Sequence, residues 1–192
     1  HSADKIDDTA VEGLTGKAYA IPNRRIAQLY VENPTMLAYW RSVGNSMNDF
    51  LYESFLDELA DKGGKDPYEL RLQLLKDNPR LSTLLKAAGE LSGGWKRGPF
   101  TAADGSRRAR GVAMASAFGS FTAAIAEVSI SAGKGLVHEL WEAGESGNNV
   151  HPGIVDAQSK PAAGSWVFPF LVCEMGDSER GVDSRPLQPL PL

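Results

Sequence analysis

The residue types that most often carry chemistry are sparse and scattered in this chain. Histidine occurs at His1, His138 and His151 and cysteine only at Cys173. These positions have no metal-ligand spacing, and a lone cysteine cannot close an intrachain disulfide. The metal set is therefore expected to be none. Asp49, Glu53 and Asp57 recur every four residues, a spacing that puts three carboxylates on one helix face. Paired carboxylates can do acid–base work, but a solvated acidic face opposite an apolar stripe is the commoner arrangement and is expected here. Lys96, Arg97, Arg107, Arg108 and Arg110 surround Trp95 and Phe100. In an acidic chain this short cluster reads as a solvated loop or a cradle for one phosphate group, not a nucleic-acid surface. Arg41 stands between an extended segment and a helix start, where an always-charged guanidinium can meet an anion; a surface salt bridge is the plainer expectation. No P-loop or G-x-S-x-G segment is present, and Gly133-Lys134-Gly135 lacks the third glycine of a dinucleotide fingerprint.

The elements that must hold these residues follow from periodicity. A short strand is expected around Ile26 to Val31. A first helix is expected from about Met47 to Ala60, capped by Ser46, with Leu51, Phe55 and Leu59, and Leu56 alongside, as its apolar stripe and Gly63-Gly64 as its stop. Asp66-Pro67 with Glu69 is a strong second start, because proline lacks only an N–H that the first turn does not use. Tyr68, Leu72 and Leu75 form that helix's expected inner face. Asn78-Pro79 starts a third helix carrying Leu81, Leu84, Leu85, Ala88 and Leu91. After a basic loop over Trp95 to Arg110 the period changes to two. Gly111 to Phe118 and Phe121 to Ile130 read as strands, with Ala124, Ala126, Val128 and Ile130 on one face. Ala132 to Gly135 reads as a turn, and Leu136 to Trp141 as a returning strand. The expected class is α+β, a helical portion followed by a mixed or antiparallel sheet. From Ser159 onward prolines interrupt any pattern, and an irregular tail is expected.

Composition excludes extremes. The 192 residues are 42% hydrophobic and 23% charged, with a formal net charge of -4. A chain this long can bury roughly 70% of its unfolded surface, and nothing in the charge calls for nucleic acid. No apolar run approaches the ~20 residues of a membrane span. Residues 1–19 are polar and acidic and do not read as a signal peptide. A first residue His1 instead of Met suggests a start inside a longer polypeptide or after processing.

A series of blocks carries a resemblance. Trp40-Arg41-Ser42-Val43-Gly44-Asn45-Ser46, Glu53-Ser54-Phe55-Leu56-Asp57-Glu58-Leu59-Ala60 and Gly64-Lys65-Asp66-Pro67-Tyr68-Glu69-Leu70-Arg71 come first. Arg110-Gly111-Val112-Ala113, Phe118-Gly119-Ser120-Phe121, Ala126-Glu127-Val128-Ser129 and Gly147-Asn148-Asn149-Val150-His151-Pro152 with Val155-Asp156-Ala157-Gln158 follow. In this order, over about residues 10 to 158, they resemble the C-terminal part of the molybdopterin-binding large subunit of the xanthine dehydrogenase and aldehyde oxidase family, isoquinoline 1-oxidoreductase branch.

The resemblance implies hydroxylation of aldehydes or N-heteroaromatic rings with oxygen taken from water. It implies a molybdopterin cofactor, of the cytosine dinucleotide form, and electron exit through iron–sulfur clusters on a partner subunit. The expected partners are the remainder of the large subunit and that iron–sulfur subunit. Arg41 matches an arginine beside the family's substrate pocket, where a cation could stabilise charge developing on the substrate. Gln158 matches a glutamine that hydrogen-bonds the pterin, and Phe118, Gly119 and Ser120 resemble a segment near the cofactor. The family's Met-Gly-Gln-Gly type cofactor loop is absent, and so is the C-terminal Gly-x-Gly-Glu segment that supplies the general base. Glu145 and Ser146 stand where the family has an Asp-Cys pair, so Glu145 is not that base. Residues 1–158 thus read as a partial molybdopterin-binding domain. Residues 159–192 read as a divergent Pro-rich tail, out of register through a frameshift, a truncated gene or a divergent end. An assembly domain without metal, or an inactive truncated product, is the alternative. Relatives with twin-arginine export signals favour the periplasm slightly over the cytoplasm.

Overall fold

The computed structural model describes residues 7–29, 31, 34–35, 38–39, 41–131, 134–159, 175–178 and 181–184. Three helices precede a sheet, as the α+β expectation requires: α1 (Gly44–Lys62), α2 (Pro67–Leu74) and α3 (Pro79–Leu91). The sheet holds β1 (Phe100–Thr101), β2 (Arg107–Ala117), β3 (Ser120–Ser131) and β4 (Lys134–Glu145) side by side in chain order. A separate antiparallel hairpin joins β5 (Met175–Ser178) to β6 (Gly181–Ser184). Those eight residues are strands inside the stretch expected to be irregular; Pro161, Pro169 and the closing Pro-rich run lie outside the described residues.

The chain divides into two compact units. The first comprises residues 1–97, 111–125 and 141–147, and the second 98–110, 126–140 and 148–192. In the first unit, α2 and α3 start as their sequences dictate. Asp66 accepts from the Tyr68 and Glu69 amides at 2.8 and 3.0 Å, Asn78 accepts from the Leu81 amide at 3.2 Å, and a proline opens each helix. Each cap is worth about 1 kcal/mol. The core gathers Leu81, Leu84, Leu85 and Ala88 of α3, Leu56 of α1, Leu75, and Val112, Met114, Ala123 and Ile125 of the strands. Leu91, expected inside, is exposed at the last position of α3. On β3 the inward residues are Ala123, Ile125 and Glu127, so the Ala124–Ile130 set is the more open face.

β2 and β3 are joined by Phe118-Gly119, with φ of 52° and 81°. Positive φ at both central residues marks the primed turn whose twist suits an antiparallel hairpin. The second connection is also two residues long, too short for a crossover. Lys134 and Gly135 belong to β4, not to a turn, and Arg107 to Arg110 belong to β2, not to a loop. No strand forms over residues 26–29 or at 31; Pro22 and Pro34, which flank this segment, have no N–H to offer a ladder.

α1 departs furthest from expectation. It begins at Gly44, three residues early, and Ser46 lies inside it, not at its cap. Of its expected core stripe Leu56 faces inward, while Leu51, Phe55 and Leu59 face outward, with exposure running from 48% at Leu59 to 61% at Leu51. Its inner face is Asn45, Asp49, Glu53, Leu56 and Ala60. Of the carboxylates read as a solvated face, Asp49 and Glu53 are therefore inside, which is costly unless each is matched by a cation.

Candidate functional site

The cations are Lys17 and Arg71. Lys17 Nζ lies 2.8 Å from Asp49 Oδ1 and 3.8 Å from Glu53 Oε1, and 5.3 Å from the centre of the Tyr52 ring. The Arg71 side chain, fully buried, donates from Nε to Glu53 Oε2 at 2.9 Å, from Nη1 to Asp57 Oδ1 at 2.6 Å and to the Pro67 carbonyl at 3.0 Å, and from Nη2 to the Glu53 carbonyl at 3.1 Å. Glu53 Oε2 also accepts from the Tyr19 hydroxyl at 3.2 Å and the Met114 amide at 3.0 Å. One carboxylate thereby ties the N-terminal segment, α1, α2 and β2 together. Burial, then the Glu53 charge, pushes the Tyr19 hydroxyl far up, so it stays protonated and donates. Burial also raises Asp49, against the pull of Lys17. All three Arg71 nitrogens donate within this cluster. It is a clamp rather than a reactive site, and it fixes where the turn before α1 sits.

That turn carries Arg41. Ser42 and Val43 follow it with φ of 70° and 47°, and Val43 has ψ of -128°, a combination that suits glycine. The Ser42 and Ser46 hydroxyls both turn back to the Arg41 carbonyl, the latter at 3.4 Å. The helix start is served from the N-terminal segment: Glu12 Oε2 accepts from the Gly44 amide at 3.3 Å, and Asn48 Nδ2 donates to the Ala10 and Glu12 carbonyls at 3.0 and 2.7 Å. A carboxylate thus already occupies the positive end of α1. A Cβ on Gly44 would lie 2.5 Å from the Thr9 carbonyl oxygen, so only glycine lets the two segments meet. Arg41 itself is exposed. Strain of this kind costs about 1–3 kcal/mol and collects at functional positions. Val43→Gly is therefore expected to raise stability by about 1–2 kcal/mol, seen as a higher urea midpoint. An unchanged or lower midpoint would show that the turn is not strained.

The other expected site residues belong to different elements. Phe118 and Gly119 form the exposed hairpin turn, and Ser120 opens β3. Gln158 is exposed on a helix over 152–159 in the second unit. In the first unit, Glu145 pairs with Arg80 and accepts from the Gly147 amide at 2.8 Å. The Arg80 bond and then the Gly147 amide hold its carboxyl below the usual range, the opposite of what a general base near neutral pH needs.

Two arginines of the basic cluster, Arg108 and Arg110, are paired. In the second unit Glu127 Oε1 accepts from Arg108 Nη1 at 3.0 Å, while Glu127 Oε2 meets Arg110 Nε and Nη2, each at 2.9 Å. Arg108 also pairs with Asp104, and the Arg110 guanidinium sits 5.7 Å from the Phe100 ring centre. Arg108 and Arg110 are thus matched by two carboxylates. Burial raises the Glu127 carboxyl, but the bonds from Arg110 and Arg108 outweigh it, and its pKa lies below the ordinary 4.5. Its contribution to stability is thus complete above about pH 4.5 and is lost as pH falls through the depressed folded value. Glu127→Gln is expected to flatten the acid limb of stability below about pH 4.5, measured as urea midpoints against pH. An acid limb as steep as the parent's would show that Glu127 does not carry it.

Sequence reasoning missed the buried clamp. Its signal was Arg71 itself, which falls between Tyr68 and Leu75 on the inner face of α2. An arginine on such a face requires a buried carboxylate partner.

No protein-family model matches the chain. Among curated proteins, it is 30% identical over 143 residues to the beta subunit of isoquinoline 1-oxidoreductase from Brevundimonas diminuta, a match covering 73% of this chain and 18% of that protein. It is 47% identical over 58 residues to the B subunit of nicotinate dehydrogenase from Pseudomonas putida KT2440, covering 30% of this chain and 5% of that protein. Among the described residues no helix is long and apolar enough to cross a membrane. The chain is therefore related to subunits of two oxidoreductases and spans less than a fifth of the length of either.

Proposed function

We propose that the chain forms part of the large subunit of a molybdenum hydroxylase acting on aldehydes or N-heteroaromatic rings. The observation that carries this reading is the extended sequence match, 143 residues long, to a subunit of isoquinoline 1-oxidoreductase. A bound molybdopterin, of the cytosine dinucleotide form, would supply the transfer of a water-derived oxygen and receive the substrate's two electrons. Iron–sulfur clusters on a partner subunit would then carry those electrons away.

This chain's own residues would bind and polarise. Arg41, permanently charged and exposed, would stabilise negative charge developing on the substrate. The exposed Gln158 amide would hydrogen-bond the pterin as donor and acceptor, and the Phe118–Ser120 turn would lie near the cofactor. The donor set fits a group held by such hydrogen bonds. Among the described residues no three His, Cys, Asp or Glu side chains gather to hold a metal directly. Proton abstraction would fall to a glutamate in the remainder of the large subunit. The periplasm is the compartment this reading favours.

The test is isotopic. The assembly containing this chain, supplied with isoquinoline, an artificial electron acceptor and ¹⁸O-labelled water, is expected to yield hydroxylated product carrying the label. Absence of product with isoquinoline and with a panel of aldehydes and N-heteroaromatics would favour the metal-free assembly domain.

A further inference from the structure

The outward face of α1 carries Met47, Phe50, Leu51, Phe55 and Leu59, all substantially exposed. Their spacing of three and four makes one continuous apolar stripe along the helix. The helix cannot roll to hide it, because Asp49 and Glu53 on the opposite face are pinned to buried Lys17 and Arg71. A stripe of this kind is the signature of a docking surface. Its C-terminal end is bordered by exposed Glu58, Asp61 and Lys62, a net charge of -1 from two acids and one base.

From this geometry we infer that the stripe is the seat of an apolar segment, basic where it meets Glu58 and Asp61, belonging to the remaining part of the oxidoreductase large subunit. The inference rests on the proposed function. The size of the relative argues for this occupant: the matched stretch is 18% of its length, so in the proposed enzyme the rest of a far larger subunit would need surface to pack on. A second copy of this chain fits less well. Five half-exposed side chains of ~200 Å² each supply roughly 500 Å², short of the ~800 Å² per partner that a stable isologous dimer uses.

The test is photo-crosslinking in the native host, with p-benzoylphenylalanine placed at position 55 and, as a control, at exposed Lys65. Position 55 is expected to crosslink to a peptide of oxidoreductase large-subunit sequence outside residues 1–192, and Lys65 is not. Phe55→Glu is expected to reduce that association at least tenfold while the far-ultraviolet circular dichroism of the chain stays unchanged. A crosslink only to another copy of the chain would overturn the inference, and so would no crosslink from position 55. A crosslink to a large-subunit peptide in an assembly without molybdenum would uphold the docking surface while removing the catalytic reading.

Discussion

Replacing Arg71 by methionine is expected to lower folding stability by about 3–5 kcal/mol, the usual cost of stripping one partner from a buried ion pair. The size follows from what would be left behind. Glu53 would keep the Tyr19 hydroxyl, the Met114 amide and Lys17 at 3.8 Å, but lose its Nε bond at 2.9 Å. The Pro67 and Glu53 carbonyls would lose their guanidinium donors as well. Urea unfolding of the parent and variant chains measures the difference. The companion variant, Glu53→Leu with Arg71→Met, is expected to lose less than Arg71→Met alone, because no buried charge is then stranded. A single variant within about 1 kcal/mol of the parent would show that the clamp does not hold these elements together.

In the assembled enzyme, Arg41→Ala is expected to reduce kcat/KM by about 10²–10³, the typical loss when one preorganised electrostatic group is removed. Molybdenum content should not change, because Arg41 is proposed to act on the substrate and not on the cofactor. Arg41→Lys should recover part of the rate, since a lysine keeps the charge but not the planar fork. Steady-state kinetics normalised to molybdenum separates these effects. A full rate in Arg41→Ala would leave the arginine as a surface charge before a strained turn.

Much of the fold is legible in the chain. Asp66-Pro67 and Asn78-Pro79 name two helix starts to the residue, because a cap and a proline act locally and need no tertiary partner. The change to period two places the hairpin strands, and the glycine after Phe118 suits its turn. α1 is legible as a helix but not in orientation. Its apolar residues outnumber its inner Leu56 and Ala60, and only the distant Lys17 and Arg71 reveal that the acidic side is the buried one. Periodicity finds a face; it does not say what that face meets. The same limit applies to Arg108 and Arg110, whose partner Glu127 is 19 and 17 residues away on the next strand. Arg41 and Gln158 are suggested by resemblance alone, and each is exposed.

Whether this chain works inside a molybdenum enzyme is decided by metal analysis of the assembly purified through it from its native source, with every co-purifying polypeptide identified. Stoichiometric molybdenum is expected, together with large-subunit and iron–sulfur polypeptide. A chain purified intact with neither metal nor partner would refute the assignment and reduce the match with isoquinoline 1-oxidoreductase to shared ancestry.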